Sequence, residues 1–400
     1  MNHTLCFLAF FSLLGSSTLS LAQQANNAKS RHEQPHSHEL PALDSAMDAF
    51  VEGKEVAGLV VMVSDKQGPI AIRAYGWADV AEAQPMTADS IFWIASMTKP
   101  ITGACVMMLQ EQGQLSLDDP ITKHLPDMQQ LKLEDGTSAV ITIRQLLNHT
   151  AGMAELPADQ AYTALNLKEA AQRYAKVKML FVPGSQWKYS QTGINTAARI
   201  VEVVSGLPFD KFVQQRICDP LGMVDTTFYL SQTQLARLAM SYQRNEAGEL
   251  EETTIKLLAG RSPTDRGRLP AANGGLFSTA HDYSQFCRML LNDGELNGQR
   301  LLSPQSVETM RTIATGELVT GFTPGNGWGV GCCVVRQPQG VSEALSPGSF
   351  GHGGAYGTQA WIDPSQERIY VLMTQRSNFS NSDASAVRHK FQQIGSTLTR

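Results

Sequence analysis

Residues 96–109 read Ser-Met-Thr-Lys-Pro-Ile-Thr-Gly-Ala-Cys-Val-Met-Met-Leu and decide how the rest of the chain is interpreted. The apolar run predicts a helix over Met97–Leu109, which Pro100 does not break because first-turn N–H groups have no intrahelical acceptor. Residues three apart share a helix face, so the Lys99 amine can reach the Ser96 hydroxyl. If burial or a nearby cation keeps Lys99 neutral, this pair can supply a base and a nucleophile. A simple helix cap is an equally good interpretation of Ser96 on this evidence.

The same Ser-x-x-Lys spacing occurs a second time, at Ser185 and Lys188. Ser185 follows Pro183-Gly184 in a predicted turn, so no helix aligns it with Lys188. Context therefore favours Ser96, whose place at a helix start adds free N–H groups and a positive dipole end.

Two further segments carry groups that can relay a proton or approach a ligand. Tyr189 begins Tyr-Ser-Gln, and a Tyr phenol can relay a proton if a cation such as Lys99 lowers its pKa. Residues 351–358 read Gly-His-Gly-Gly-Ala-Tyr-Gly-Thr just before a predicted strand, where a backbone can approach a ligand closely. Taken alone, the first segment fits half-buried packing and the second fits a flexible turn.

Together and in this order, the three segments resemble the motifs of the penicillin-recognising serine hydrolases, and the class C β-lactamase-like group in particular. That group also includes D,D-peptidases, esterases and amide hydrolases. The similarity extends over about residues 42–395 and includes three more stretches, at residues 143–153, 181–184 and 272–279.

The resemblance implies a role for each matching residue. Ser96 is the nucleophile, Lys99 its partner base, and Tyr189 the general base and acid. The oxyanion hole consists of the N–H groups of Ser96 and Ala355, while His149 is structural. Gly353 and Gly354 belong to the third motif, which binds substrate.

Two positions depart from the motifs of the family. Gln191 stands where the second motif usually ends in Asn, and His352 stands where the third usually begins with Lys. Both positions serve substrate recognition in the family, so these departures leave the substrate class open while the nucleophile chemistry is unaffected.

Strands near both ends of the chain, with helices between them, predict the domain organisation. Residues 57–64 and 69–75 read as a hairpin, and β-character returns at residues 328–336, 359–362 and 369–374. Helices are predicted at residues 143–147, 193–204, 276–291 and 382–398. The predicted fold class is α+β and β-lactamase-like. An antiparallel sheet built from both termini (about 42–95 and 270–400) is flanked by helices, beside a mainly helical part (about 96–269).

The N-terminus predicts export. Leu5–Leu14 is nearly all apolar, and Ser20-Leu21-Ala22 fits a small-x-small cleavage site, so residues 1–22 read as a signal peptide. Residues 23–41 form a polar leader. We therefore expect a secreted or periplasmic protein with no stable membrane span after cleavage near Ala22.

Composition and spacing weigh against several other functions. The 400 residues carry a formal net charge of −5 with no basic run, so nucleic acid is not an expected partner. His32-Glu33-Gln34-Pro35-His36 matches the metalloprotease pattern, but Pro35 and polar flanks argue against a zinc helix. The five cysteines after the leader read as buried small hydrophobes. No metal or cofactor is expected.

These features predict an acyl-enzyme hydrolase acting on small neutral esters. Within the enzymes, a D,D-carboxypeptidase or a β-lactamase is the alternative. Outside them, the alternative is a protein that binds penicillin or a peptidoglycan fragment without turnover. The sequence leaves the oligomeric state open.

Overall fold

The computed structural model describes residues 40–400, apart from the side chains of residues 158 and 159. The predicted signal peptide, the leader as far as residue 39 and the His-Glu-x-x-His motif lie outside the described residues. Pro41, predicted as the last leader residue, begins the first helix.

The strands are β1 (Gly58–Ser64), β2 (Pro69–Asp79), β3 (Gln84–Pro85), β4 (Phe92–Trp93), β5 (Ser241–Arg244), β6 (Leu250–Thr253), β7 (Phe277–Ser278), β8 (Glu295–Leu296), β9 (Gln299–Arg300), β10 (Asn326–Trp328), β11 (Cys333–Val335), β12 (Phe350–Gly353), β13 (Gln359–Asp363) and β14 (Arg368–Thr374).

The α-helices are α1 (Pro41–Glu52), α2 (Thr98–Glu111), α3 (Ile143–Leu147), α4 (Ala158–Ala161), α5 (Leu167–Tyr174), α6 (Gln191–Ser205), α7 (Phe209–Val213), α8 (Asp219–Leu221), α9 (Gln232–Leu235), α10 (Ala280–Leu291), α11 (Pro304–Arg311) and α12 (Ala386–Gly395).

The main sheet has eight strands in the order β10-β11-β12-β13-β14-β1-β2-β3, and every neighbouring pair is antiparallel. Its centre joins the two ends of the chain, because β1 pairs with β14 from Leu59 opposite Thr374 to Ser64 opposite Ile369. The predicted hairpin is present as β1 and β2, with a turn at residues 65–68. The predicted sheet from both termini is confirmed.

Both faces of this sheet are covered, which explains why every residue of β1 is buried. Val60 and Met62 point into the large core that includes α2 and α10, whereas Val61 and Val63 point into a second core with α1 and α12. This alternation is the two-residue period of a strand. The segments between residues 98 and 235 are mainly helical and join the large core.

Two local predictions need adjustment, and one helix was missed. The predicted helix over residues 276–291 begins at Ala280, because Phe277 and Ser278 pair with β4 and the Thr279 side chain caps the helix. The predicted strand from Trp328 to Arg336 is two strands, β10 and β11, which pair with each other. Helix α1 was not predicted, although its buried residues Leu43 and Met47 are spaced about one helical turn apart.

Among residues 40–400, no helix is long and apolar enough to cross a membrane.

Candidate active site

Ser96 lies in a 3₁₀ turn, Ala95–Met97, that leads directly into α2. Ala95 has φ of 46°, a left-handed conformation that costs a non-glycine residue about 1–3 kcal/mol. The turn is held by Thr98 Oγ1, which donates to Ala95 O at 2.7 Å, and by Tyr283 Oη, which donates to Met97 O at 2.7 Å. The Ser96 side chain is thereby presented, half-buried, at the start of the helix.

Lys99 lies one helical turn further on, and its Nζ is 2.9 Å from Ser96 Oγ. The amine donates to the backbone oxygen of Asn273 at 2.6 Å, and the residue is fully buried. Burial holds the pKa of Lys99 well below its usual value, although Glu155 and Asp383 oppose the shift. A neutral amine at this distance can accept the Ser96 hydroxyl proton.

Tyr189 covers the Lys99 amine, with its ring centroid 4.7 Å from Nζ. Burial raises the pKa of the Tyr189 phenol well above its usual value, and the Ser96 hydroxyl opposes the shift. The sequence-based expectation was a pKa lowered by a lysine cation. The structure reverses that direction because burial of the phenol itself disfavours the charged phenolate. Tyr189 is therefore a neutral phenol, suited to donating a proton, and Lys99 is the better base.

His149 packs against the ring of Tyr189. It is fully buried, its ring centroid lies 4.4 Å from that of Tyr189, and its Nδ1 accepts from the Ser190 N–H at 3.1 Å. Burial holds its pKa well below the usual value. His149 thus fixes the backbone and ring of the second motif.

His352 on β12 is buried, and its hydrogen bonds determine its tautomer. Nδ1 lies 2.6 Å from Gly353 O, which can only accept, so Nδ1 carries the hydrogen. Nε2 lies 3.2 Å from Tyr189 Oη and accepts from that hydroxyl. Burial, reinforced by Lys99, lowers the pKa of His352 to about 3. The third motif therefore begins with an uncharged side chain.

The glycines that follow allow β12 to approach the Ser96 turn. A Cβ on Gly354 would overlap Thr358 Oγ1 and lie 2.7 Å from Ile94 O, and a Cβ on Gly353 would overlap the Asp383 carboxylate. Gly351, His352 and Gly353 are part of a strand, not of a flexible turn. Ala355 is exposed just beyond that strand.

Gln191 is the first residue of α6, and its side-chain oxygen accepts from Asn273 Nδ2 at 3.0 Å. Asn273 therefore connects the second motif to Lys99, because its backbone oxygen holds the amine. The sequence assigned no role to Asn273, although the stretch 272–279 was recognised as family-like. Glu155 was also missed; its carboxylate accepts from the Gln191 N–H at 2.8 Å and so anchors the start of α6.

Ser185, the competing serine, lies in an exposed turn, where its hydroxyl donates to Val182 O at 2.7 Å. Lys188 is also exposed. The five cysteines of the described residues are free and buried, as expected for small core side chains.

A serine, a desolvated lysine and a tyrosine thus converge between an antiparallel sheet and a helical region, an arrangement whose groups can carry out acyl transfer. The chain belongs to the beta-lactamase family, whose model matches residues 43–393. The predicted family and fold class are confirmed, as is the prediction of an enzyme of the serine hydrolase type.

Three comparisons show which known proteins this chain is similar to. It is 32% identical to Protein Rv1367c of Mycobacterium tuberculosis over 83% of this chain and 88% of that protein. It is 28% identical to Esterase EstB of Burkholderia gladioli over 83% and 89% of the two chains. Among solved structures it resembles EstCE1, described as a hydrolase with promiscuous acyltransferase activity. The TM-score is 0.77 and the identity 25%, over 90% of this chain and 98% of the other.

The desolvated lysine predicts how activity depends on pH. We expect kcat/KM for a neutral ester to fall as pH decreases through the lowered pKa of Lys99, because protonation removes the base. The His352→Gln variant should keep this acid limb, since the pKa of His352 is lowered to about 3. The measurement is a profile of kcat/KM from about pH 4 to about pH 10. If the acid limb disappears in His352→Gln, the limb belongs to the imidazole and not to Lys99. Activity confined to pH values near 10 would show that Lys99 has an ordinary pKa.

Proposed function

We propose that this protein is a serine hydrolase that forms an acyl-enzyme on Ser96 and acts on small neutral esters. The observation that carries the proposal is the fully buried Lys99 amine, 2.9 Å from the Ser96 hydroxyl and covered by Tyr189. The description of two relatives as an esterase and as a hydrolase with acyltransferase activity supports the same chemistry.

The mechanism follows from the protonation states. Neutral Lys99 accepts the Ser96 proton while Ser96 Oγ attacks the ester carbonyl, and the N–H groups of Ser96 and Ala355 stabilise the oxyanion. The Tyr189 hydroxyl then protonates the leaving alcohol and is restored by the proton held on Lys99. Water enters, transfers a proton to the same groups and releases the acid. Before reaction the Tyr189 hydroxyl donates to His352 Nε2, and it turns from this acceptor to the leaving oxygen to deliver its proton.

The neutral state of His352 supports the choice of substrate. A permanent cation at this position would attract a substrate carboxylate, and charge-assisted hydrogen bonds are roughly twice as strong as neutral ones. Because His352 is uncharged, a substrate carboxylate gains little binding energy at this position, and an ester without a carboxylate loses no binding energy.

A substrate panel on the full chain tests the proposal. We expect short-chain 4-nitrophenyl esters to be hydrolysed with a higher kcat/KM than a chromogenic cephalosporin or D-Ala-D-Ala peptides. Intact-mass analysis during turnover should detect one acyl group on Ser96. Efficient cephalosporin or peptide turnover with slow ester hydrolysis would favour the β-lactamase or D,D-carboxypeptidase alternative. A stable adduct without turnover of any substrate would favour a penicillin-binding role.

The His352→Lys variant tests the substrate argument directly. We expect it to narrow the gap in kcat/KM between ester and cephalosporin by raising the cephalosporin value about tenfold or more, because an ammonium replaces an uncharged imidazole. His281→Lys makes the same exchange at an exposed histidine and should leave the ratio unchanged. An unchanged ratio in His352→Lys would refute a charge-based selection at this position.

We also propose that the protein acts outside the cytoplasm, with cleavage near Ala22. The support is the apolar run Leu5–Leu14 followed by small residues. N-terminal sequencing of the secreted or periplasmic fraction is the test, and an intact Met1 in an active preparation would contradict the proposal.

A further inference from the structure

The turn of residues 271–275 is hydrogen-bonded to α2 and to α6, the helices that begin within the first and second motifs. From α2, Thr102 Oγ1 donates to Ala272 O at 3.0 Å, and Lys99 Nζ donates to Asn273 O at 2.6 Å. The carbonyl of Asn273 is thus a direct partner of the base. Any group that fixes this carbonyl therefore also fixes the Lys99 amine.

Two residues of α6, four positions apart, bind Asn273. Gln191 Oε1 accepts from Asn273 Nδ2 at 3.0 Å, and Asn195 Oδ1 accepts from the Asn273 backbone N–H at 3.1 Å. Residues four apart share one face of a helix, so the side chain and the backbone of Asn273 are bound to the same face of α6. Gln191 is itself fixed in place, because the Glu155 carboxylate accepts from its N–H at 2.8 Å.

The Asn273 carbonyl determines which part of the amine faces Ser96. A neutral amine has two hydrogens and one lone pair, and only the lone pair can take the Ser96 proton. A carbonyl can only accept, so Asn273 O binds an N–H of Lys99 and leaves the lone pair for Ser96 Oγ, 2.9 Å away. After the transfer the same carbonyl accepts from an ammonium, and such charge-assisted hydrogen bonds are roughly twice as strong as neutral ones.

The length of the Gln191 side chain is essential for its contact with Asn273. An asparagine at this position is one methylene shorter, so its oxygen would fall short by up to about 1.5 Å, the length of one carbon–carbon bond. The N···O distance of 3.0 Å would then exceed the range of a hydrogen bond. The departure from Asn in the second motif therefore gives α6 a contact that the usual residue does not reach from the same backbone position.

We propose that Gln191 is a positioning residue, which holds the Asn273 carbonyl against the Lys99 amine and so keeps the lone pair of that amine directed at Ser96. This inference rests on the proposed acylation of Ser96 and adds a residue that supports its base. It assigns Gln191 to the alignment of the proton acceptor, whereas the family resemblance implies a contact with substrate.

Three variants of Gln191 separate side-chain length from hydrogen bonding. Gln191→Met keeps the length and removes the acceptor, whereas Gln191→Asn keeps an acceptor and shortens the chain. We expect both to lower the plateau value of kcat about tenfold, because the base is no longer aligned with Ser96. Gln191→Glu keeps the length and an acceptor, so its kcat at high pH should stay close to the wild-type value. Gln191 is only half-buried, so all three should fold, which thermal unfolding checks.

The acid limb of the pH profile is a readout that a loss of packing would not change. Loss of an acceptor for the ammonium should lower the pKa of Lys99 further, so in Gln191→Met and Gln191→Asn the limb should move to lower pH by about half a unit. In Gln191→Glu the added carboxylate should move the limb to higher pH. The titratable groups that act on or contact Lys99 stay unchanged in these variants: Glu155, Asp383, His149, His352 and Tyr189.

Two butyl esters distinguish this role from substrate recognition. If Gln191 positions the base, Gln191→Met should lower kcat by the same factor for butyl acetate and butyl hexanoate, with KM little changed. A loss that appears in KM, or that differs between the two esters, would overturn the proposal in favour of a substrate contact. Gln232→Met makes the same exchange at the exposed first residue of α9 and should leave kcat, KM and the acid limb unchanged.

A second readout does not depend on ester turnover. A fluorophosphonate labels Ser96 when Oγ displaces fluoride and the Ser96 proton passes to Lys99, so the pH dependence of labelling reports the same base. If neither ester is hydrolysed, a labelling limb that moves to lower pH in Gln191→Met would support the positioning role while the ester proposal fails. Full activity and an unmoved limb in Gln191→Met and Gln191→Asn would overturn the positioning role while Ser96-dependent hydrolysis stands. Absence of both labelling and ester hydrolysis in the wild type would overturn both.

Discussion

Ser96→Ala is expected to abolish ester hydrolysis, with a loss of about 10⁴-fold or more in kcat, because no other group at the site can form the acyl-enzyme. Hydroxyl removal from a half-buried side chain should change the free energy of unfolding by only about 0.5 kcal/mol. The measurements are kcat for 4-nitrophenyl butanoate, thermal unfolding, and intact-mass detection of the acyl group.

Ser185→Ala is the matched control, since it removes the serine of the second Ser-x-x-Lys. Ser185 is exposed and its hydroxyl only closes a turn on Val182 O, so most activity should remain. The assignment of the nucleophile is wrong if Ser185→Ala is inactive and Ser96→Ala is not. If the Ser96→Ala protein unfolds at a much lower temperature than wild type, its loss of activity would be explained by loss of folded protein.

The parts of this site that the sequence predicted are those encoded locally. The helix after Ser96 follows from an uninterrupted apolar run, and the β1–β2 hairpin follows from two β-prone segments around a polar turn. Ser96 and Lys99 are three residues apart, so helical geometry alone brings their side chains together.

Contacts between distant segments could not be predicted in this way. Asn273 holds the Lys99 amine across 174 residues, and Asp383 reaches the third motif from the loop before α12. Strand β12 was missed because glycine has a low β-propensity, yet its pairing with β13 and the need for close approach to the Ser96 turn override that preference.

The direction of the Tyr189 pKa shift is also a property of the assembled site. From sequence, Lys99 reads as a cation that favours the phenolate. In the fold burial acts on both groups, so the pKa of the Lys99 amine decreases and the pKa of the Tyr189 phenol increases. Solvent exclusion therefore determines the direction of both pKa shifts, and no local sequence pattern indicates solvent exclusion.

Lys99→Ala and Tyr189→Phe are each expected to lower kcat for an alkyl ester by at least about a hundredfold, because each removes a proton-transfer partner. The two losses should not add, since the groups act on the same proton path. The Lys99→Ala/Tyr189→Phe double variant should therefore be no more than about tenfold slower than the slower single variant. Lys188→Ala, at the exposed lysine of the second Ser-x-x-Lys, should retain activity.

Leaving-group dependence distinguishes the roles of the two residues. If Tyr189 protonates the departing alcohol, Tyr189→Phe should lose much less activity on a 4-nitrophenyl ester, whose leaving group needs no proton, than on an alkyl ester of the same acid. Lys99→Ala should lose similar activity on both, because deprotonation of Ser96 precedes departure of either alcohol. Tyr189→Phe keeps the ring contacts with His149 and Phe322, so its fold should be intact. Equal losses of Tyr189→Phe on the two esters would remove Tyr189 from leaving-group protonation, and a fully active Tyr189→Phe enzyme would show that Lys99 works alone.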